Sequence, residues 1–188
     1  MKKIGITGSL ASGKTSACKI LSAKAGPLFN ADNVVSKIYA NPKSKRKIVK
    51  LFNISRKKNL KNEVKKKIFE SKNNLKKLEK IIHPIVRRIM INFSKSNKKK
   101  IFTFYEIPLL VEKKMSKYFD FTIFIKSKKS IRQKRYLKNG GKLNLFKSLD
   151  RYQLIDKKKQ RYCDYTVVNN GSFSDLKKKL FNIIKKYE

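Results

Sequence analysis

Cysteine and histidine are scarce in this sequence, which excludes two classes of small protein. The two cysteines, Cys18 and Cys163, lie far apart and have no second pair, and His83 is the single histidine. So few thiols provide neither a disulfide framework nor a zinc knuckle. The pattern is typical of a protein from a reducing cytoplasm, and we therefore expect a cytoplasmic chain.

Long apolar runs are also missing. No stretch approaches the roughly 18 apolar residues that a membrane-spanning helix needs, and residues 1–16 hold no apolar signal segment. Membrane partners are therefore not expected. Hydrophobic residues still make up 40% of the 188 residues, enough for one domain with a buried core. We expect that domain to act as a monomer.

Acidic residues are few, 12 against 50 basic ones, so the formal net charge is +38. Such a charge is typical of proteins that bind nucleic acid or anionic membranes. However, only eight basic residues are arginine, the residue best suited to contact bases, and the 42 lysines are scattered over every segment. The composition is that expected from an AT-rich genome, and we expect no dedicated nucleic-acid partner.

Short apolar runs alternate with longer helical patterns. Runs rich in β-branched and aromatic residues predict strands at residues 3–7, 27–31, 100–106, 121–125 and 165–168. Runs that are apolar almost throughout suit strands covered on both faces, as in a parallel sheet. Strands separated by helices imply right-handed crossovers, so we predict a three-layer α/β fold with a five-stranded parallel sheet.

Two segments interrupt this alternation. Residues 62–96 have apolar side chains at helical spacing, which predicts a helical insertion in which Pro84 begins a new helix. Residues 127–161 are polar and basic, with a helical periodicity that is broken by the sequence NGG at 139–141. A glycine pair between two charged helices is typical of a flap that opens and closes.

One motif indicates a specific chemistry. The sequence GSLASGKT at residues 8–15 fits the phosphate-binding pattern G-x-x-x-x-G-K-[ST] and lies between a predicted strand and a predicted helix at 14–25. Glycines let backbone N–H groups approach phosphate oxygens, and the helix directs its positive dipole end at the same anion. We expect Lys14 to reach the β- and γ-phosphates of ATP, and Thr15 to ligate Mg²⁺. The predicted ATP-binding residues of this loop are Gly8, Ala11, Ser12, Gly13, Lys14, Thr15 and Ser16.

A phosphotransferase also needs a carboxylate near the acceptor hydroxyl. Asp32 follows the second predicted strand and can face the γ-phosphate from the carboxyl edge of the sheet, although aspartate also serves as a helix N-cap. Glu106 ends the third strand, where a carboxylate either orders magnesium ligands or is simply solvated. His83, Arg87 and Arg88 together suit an anionic acceptor, although a lone histidine is more often structural.

Other proteins that use such a loop fit less well. The guanine-binding pattern N-K-x-D of GTPase switches is missing, since NKKK at 97–100 lacks the aspartate. Motor ATPases are usually longer and oligomeric. The size favours a small-molecule kinase, and a nucleic-acid-stimulated ATPase is the alternative.

These motifs resemble the dephospho-coenzyme A kinase family over nearly the whole chain. Three segments are similar to that family's phosphate loop, D-A-D segment and D-x-P-L-L-[FV]-E segment: GITGSLASGKTS (5–16), FNADNVVSKIY (29–39) and EIPLLVEKK (106–114). LEKIIHPIVRR (78–88) is similar to the family's L-E-x-I-x-H-P-x-[IV]-R, and DYTVVNNGS (164–172) is similar to its closing A-D-x-V-I-D-N.

The resemblance implies transfer of the ATP γ-phosphoryl group to the ribose 3′-hydroxyl of dephospho-CoA, the last step of coenzyme A synthesis. It implies ATP and Mg²⁺ as cofactors, with Thr15 and Glu106 as metal ligands. Asp32 and Lys14 are then the catalytic residues, with Asp32 as the base. Another small-molecule kinase, acting on a nucleoside or nucleotide, is the alternative within the same fold.

The resemblance also implies how the chain is divided. A single P-loop kinase domain has its core at about 1–60, 97–126 and 162–188, an acceptor-binding insertion at about 61–96 and a basic lid at about 127–161. Lid arginines that close on the γ-phosphate exclude water and offset developing charge, which fits Arg132 and Arg135. Arg135 completes the predicted ATP-binding set, and the implied substrate contacts are Asp32, His83, Arg87, Arg88, Leu109 and Glu112.

Four positions depart from the family's pattern. Asn30 replaces the first acid of D-A-D, and Glu106 replaces an aspartate with a side chain one methylene longer. Asn139 stands where the lid usually has a second arginine, and Asn169 replaces the aspartate of V-I-D-N. Since the loop and Asp32 are intact, we expect activity.

Overall fold

The computed structural model describes residues 1–55 and 59–188. This part of the chain forms two compact units. The first unit comprises Met1–Asn30 and Asn97–Glu188, and the second comprises Ala31–Ser96. Each unit contains a buried hydrophobic cluster of its own.

A parallel sheet forms the centre of the first unit. Its strands in the described residues are β1 (Lys2–Gly8), β2 (Leu28–Asn30), β3 (Phe102–Glu106), β4 (Phe121–Lys126) and β5 (Tyr165–Val168). They lie in the order β2-β3-β1-β4-β5, and every neighbouring pair is parallel. The predicted strands and the parallel sheet are therefore confirmed, and only the strand ends differ by one or two residues.

Helices connect the strands. Along the described chain they are α1 (Lys14–Ser22), α2 (Ala31–Ala40), α3 (Pro42–Phe52), α4 (Leu60–Glu70), α5 (Lys72–Ser96), α6 (Lys129–Lys138), α7 (Leu143–Arg151), α8 (Asp156–Arg161) and α9 (Phe173–Ile184), with a short 3-10 helix at Ser116–Tyr118. Within these ranges, none of the helices combines the length and the hydrophobicity that a membrane crossing demands.

Both faces of β1 are covered, which explains why its sequence is apolar almost throughout. Side chains alternate between the two faces of a strand. Ile6 belongs to one buried cluster with Leu21 of α1 and Leu180 of α9, so these helices cover its side of the sheet. On the opposite side, the Thr7 hydroxyl donates a hydrogen bond to the carbonyl oxygen of Pro108 at 3.0 Å. The strand thus lies between two layers of chain, as predicted.

The second unit is a cluster of four helices, α2 to α5, in the described residues. Each helix contributes buried side chains to one core, among them Ile38, Ile48, Val64 and Leu78. The sequence predicts the helical insertion to begin at residue 61, whereas the compact unit begins at Ala31. The reason is that α2 and α3, which the sequence reading missed, bury their apolar faces against α4 and α5.

The prediction that Pro84 begins a new helix is wrong. Helix α5 continues from Lys72 to Ser96 with Pro84 inside it. Proline removes one backbone hydrogen bond from a helix interior. The buried side chains of Leu78 and Ile82, which precede Pro84 on α5, hold the helix in the core of the unit and offset that loss.

The glycine break predicted at 139–141 is confirmed. Helix α6 ends at Lys138, and α7 begins at Leu143. Gly140 has φ 79°, a left-handed conformation that glycine adopts at low cost. Phe146 of α7 is fully buried and packs against the Tyr136 ring of α6, with ring centroids 5.5 Å apart. The two helices of the predicted lid therefore pack against each other around this turn.

Candidate active site

The loop at residues 8–15 joins the carboxyl end of β1 to the start of α1. Gly8 has no room for a side chain, since a Cβ atom would lie 2.5 Å from the carbonyl oxygen of Ile125. Gly13 precedes α1 with φ 97°, and a Cβ atom there would collide with the Asn169 side chain. Both glycines of the motif are therefore required by close packing, and at Gly13 also by backbone conformation.

The N-terminus of α1 is arranged to receive an anion. Gly13 provides no side-chain cap, and the first turn of α1 contains no acidic residue. The first N–H groups of a helix have no partner within the helix, and they carry the positive end of its dipole. A phosphate group at this position would accept those hydrogen bonds.

Lys14 folds back over the loop. Its ammonium group donates to the carbonyl oxygens of Gly8 and Ser9, each at 3.0 Å. The loop is closed further by a hydrogen bond from the Ser12 N–H to the Ser9 carbonyl oxygen at 3.1 Å. The positive charge of Lys14 is thus held at the loop itself.

Thr15, Glu106 and Asn30 meet beside the loop. The Thr15 hydroxyl donates to Glu106 Oε1 at 2.7 Å, and the Asn30 amide donates to Glu106 Oε2 at 2.6 Å. Glu106 is buried, with 2% of its surface exposed. Asn30 presents its NH₂ group to the carboxyl group, so both Glu106 oxygens accept a hydrogen bond. For Glu106, the sequence also allowed a solvated position at the end of β3. The burial of the side chain shows that this alternative is wrong.

The Thr15 and Glu106 oxygens fit a magnesium ion by their chemistry. Hydroxyl and carboxylate oxygens are the hard donors that Mg²⁺ prefers, and the ion usually keeps several waters and phosphate oxygens as further ligands. In the described chain, no group of three or more histidine, cysteine or acidic residues could hold a metal by itself.

Cys18 lies on α1, the helix that also contains Lys14 and Thr15. Burial raises the pKa of its thiol well above the ordinary value, the negative charge of Glu106 adds to the rise, and the charge of Lys14 opposes it. The side chain is fully buried in the core of the first unit. Cys18 is therefore a neutral packing residue.

A cavity of about 450 Å³ opens beside the loop. Ligand sites in proteins commonly span about 300–1,000 Å³, so a nucleotide is of suitable size. Its lining residues come from the loop, the end of α6 and the segment after β5: Ala11, Ser12, Gly13, Lys14, Thr15, Ser16, Arg135, Lys138, Asn139, Asn169, Gly171, Phe173 and Leu176. Every predicted ATP-binding residue except Gly8 is in this set. Sequence reasoning missed Lys138, Gly171, Phe173 and Leu176, because no motif marks them.

The two arginines of the predicted lid have different surroundings. Arg135 lines the cavity, and its guanidinium donates to the carbonyl oxygens of Ser12 at 3.3 Å and Asn169 at 3.2 Å. Arg132 is 5% exposed and forms an ion pair with Asp150 at 2.6 Å. Arg132 therefore has a structural partner, whereas Arg135 lines the cavity.

The Arg132 pair controls the titration of Asp150. Burial alone would raise the pKa of Asp150, but the hydrogen bond and charge of Arg132, helped by Lys129, outweigh burial and lower it. The carboxylate therefore stays ionised at neutral pH and neutralises a buried guanidinium.

Glu112 and Leu109 lie on the connection after β3. Glu112 Oε1 pairs with the fully buried ammonium of Lys159 at 2.8 Å and accepts the Leu154 N–H at 3.2 Å. Glu112 Oε2 is buried without a hydrogen-bond partner. Leu109 is 38% exposed. Leu109 can thus offer apolar surface to a ligand, whereas one oxygen of Glu112 is already engaged.

The remaining predicted residues belong to the second unit. Asp32 is exposed on the first turn of α2, and since α2 begins at Ala31 it is not the N-cap of that helix. His83 and Arg87 are exposed on α5, four residues apart and therefore on one side of the helix. Arg88 follows and is also exposed.

Known proteins are similar to this chain in sequence. The family model of dephospho-CoA kinase matches residues 2–175. A dephospho-CoA kinase of Rickettsia typhi is 33% identical over 195 residues, which cover 100% of this chain and 98% of the relative.

Two solved structures share the fold. TT1252 from Thermus thermophilus superposes with a TM-score of 0.90 at 23% identity, covering 100% of this chain and 98% of the other. A dephospho-CoA kinase from Campylobacter jejuni has a TM-score of 0.65 at 23% identity, covering 100% and 97%. The predicted P-loop kinase fold is confirmed. Because the family model and the Rickettsia relative extend over nearly the whole chain, the chain belongs to the dephospho-CoA kinase family, the kinases that phosphorylate dephospho-CoA in coenzyme A synthesis.

Proposed function

We propose that the chain transfers the γ-phosphoryl group of ATP to the ribose 3′-hydroxyl of dephospho-CoA, giving coenzyme A and ADP. Membership of the family supports this reaction. The observation that carries it in the structure is the cavity formed by the phosphate-binding loop, Arg135 and the segment after β5. This cavity combines backbone donors with positive charge, as a triphosphate requires.

In this proposal the loop holds the donor nucleotide. The N–H groups of residues 11–16 point at phosphate oxygens, and Lys14 leaves its loop carbonyls to contact the β- and γ-phosphates. Arg135 stabilises negative charge that develops on the transferred group. Thr15 and Glu106 would hold Mg²⁺, which when bound would neutralise phosphate charge.

Asp32 acts on the acceptor. The 3′-hydroxyl oxygen forms a bond to the γ-phosphorus while the bond from that phosphorus to the ADP oxygen breaks. The hydroxyl proton passes to the carboxylate of Asp32, which lies exposed on α2. The residues assigned to the acceptor are His83, Arg87 and Arg88 of α5, with Leu109 and Glu112 of the connection after β3.

We assign the remaining features as follows. The chain works as a single P-loop kinase domain in the cytoplasm and as a monomer, with residues 127–161 as its lid. Its partners are ATP and dephospho-CoA. The net charge of +38 has no dedicated nucleic-acid or membrane partner and speeds the encounter with anionic substrates in a salt-dependent manner.

An acceptor panel tests the proposal. ADP release is measured by a coupled assay with ATP and, in turn, dephospho-CoA, nucleosides, nucleotides, and RNA or DNA. We expect turnover with dephospho-CoA at a kcat/KM at least tenfold above any other acceptor, with coenzyme A identified by mass. A nucleoside or nucleotide as the best acceptor would replace the proposed substrate. Stimulation by a polynucleotide at physiological salt would instead support an ATPase that acts on nucleic acid.

A further inference from the structure

The tip of the phosphate-binding loop is held by side chains from the segment 127–161. The Leu10 N–H donates to Gln153 Oε1 at 3.0 Å, and the Leu10 carbonyl oxygen accepts from Arg132 Nη1 at 3.3 Å. The Ser9 hydroxyl donates to Asp156 Oδ1. Both backbone polar groups of one loop residue are therefore engaged by side chains more than a hundred residues away in sequence.

Gln153 is itself held by a buried lysine. Its Oε1 atom accepts a hydrogen bond from Lys159 Nζ at 3.3 Å, and Lys159 is fully buried. The same ammonium forms an ion pair with Glu112 at 2.8 Å. A buried ammonium without partners is costly, so these contacts define where it lies. Since both neighbours of Gln153 Oε1 are donors, the amide oxygen and not the NH₂ group must face them.

The residues that Gln153 holds are next to the phosphate site. The loop residues that line the cavity begin at Ala11, directly after Leu10. The Ser9 carbonyl oxygen also accepts a hydrogen bond from Lys14. A shift of residues 9–10 would therefore move both the first amide of the cavity and a support of the catalytic lysine.

We propose that Gln153 is a positioning residue of the kinase, which fixes the tip of the phosphate-binding loop through Leu10 and is itself fixed by the Lys159–Glu112 ion pair. It does not touch the reacting atoms. Its effect is on alignment, to which phosphoryl transfer is sensitive because misplacement by about 1 Å can cost about 10²-fold in rate. The inference rests on the proposed function, since its main measurement is turnover.

The test compares three variants in the coupled ADP assay with dephospho-CoA. Gln153→Met keeps the size of the side chain but removes the acceptor, and we expect kcat to fall at least about tenfold while KM for ATP changes less than about threefold. Gln153→Glu keeps an acceptor for both donors, and we expect its kcat to stay within about threefold of the unmodified chain. Gln160→Met is the matched control. It removes a glutamine of the same segment that accepts from Lys126 Nζ at 2.9 Å, and its kcat should be unchanged.

Two results would overturn the inference. One is a Gln153→Met variant with a kcat within twofold of the unmodified chain, and the other is an equal loss in Gln153→Met and Gln153→Glu. Lack of turnover by the unmodified chain would contradict the proposed function instead, so the two failures are distinguishable.

A measurement on the unmodified chain covers the case in which Gln153→Met does not fold. Amide hydrogen exchange followed by NMR should show the Leu10 N–H protected at least about tenfold relative to an unstructured peptide, because it is hydrogen-bonded. Exchange of the Leu10 N–H at the unprotected rate would overturn the inference.

Discussion

Replacement of Asn30 by aspartate would convert a hydrogen bond into a repulsion. The Asn30 amide donates to Glu106 Oε2 at 2.6 Å, and both residues lie in the first unit. Two carboxylates at that distance repel by about 6 kcal/mol at an effective dielectric constant of 20. Relaxation of the side chains leaves about half of this, about 3 kcal/mol, and the like charge raises the pKa of the carboxyl pair in the variant.

The sign of the pH dependence follows from that shift. In Asn30→Asp the folded state binds a proton more tightly than the unfolded state, so the variant loses stability as pH rises from about 4 through the raised pKa. Relative to the unmodified chain, we expect a small difference in Tm at pH 4. At pH 8 the variant should unfold about 6–12 °C lower, since about 1 kcal/mol corresponds to about 2–4 °C for a chain of this size.

Thermal unfolding followed by circular dichroism, with EDTA or with Mg²⁺, provides the assay. Magnesium should narrow the gap at pH 8, because two carboxylates attract the ion that relieves their repulsion. Asn41→Asp is the matched control, since Asn41 caps α3 by accepting the Ser44 N–H at 3.1 Å and aspartate is an equally good cap. A gap that is equal at pH 4 and pH 8 would refute the reasoning.

Three further substitutions test other parts of the site. Lys14→Ala should lower kcat/KM by about 10²–10³-fold in the coupled ADP assay, because it removes the positive charge that contacts the transferred phosphoryl group. A loss below tenfold would contradict the role assigned to Lys14. Asp32→Asn should lower kcat by about 10²–10⁴-fold with KM for ATP within about threefold, whereas full activity would rule out this residue as the base. Asp150→Asn should cost about 3–5 kcal/mol in urea unfolding at pH 7, because Arg132 is left buried without its partner. Because the pKa of Asp150 is lowered in the folded state, this cost should shrink as the pH falls through that pKa, and a cost independent of pH would contradict the ion pair.

The loop and the strands could be predicted from the sequence because their signals are local. Gly8, Gly13, Lys14 and Thr15 form one continuous motif, although Ile125 and Asn169 also exclude side chains at the two glycines, and the strands are apolar because both faces are covered. The helices α2 and α3 were missed, although one signal was present. Asn41 followed by Pro42 is a helix start, with the asparagine as N-cap and the proline in the first turn.

The contacts around the loop could not be predicted, because their partners are far apart in sequence. Arg132 pairs with Asp150, and Lys159 pairs with Glu112, across separations that carry no periodic pattern. In a chain with 42 lysines, nothing in the sequence distinguishes the buried Lys159 from exposed ones. The same holds for Gln153, whose importance depends on where the fold places it.

The burial of Lys159 makes this side chain useful as a reporter. Amine-reactive reagents modify exposed lysines rapidly, whereas an ammonium with no exposed surface reacts only when the surrounding chain opens. Mass spectrometry of peptides that contain Lys159 would therefore record how often residues 150–160 detach, against a background of fast-labelled surface lysines. The rate at which Lys159 is labelled would thus measure how often the proposed lid opens.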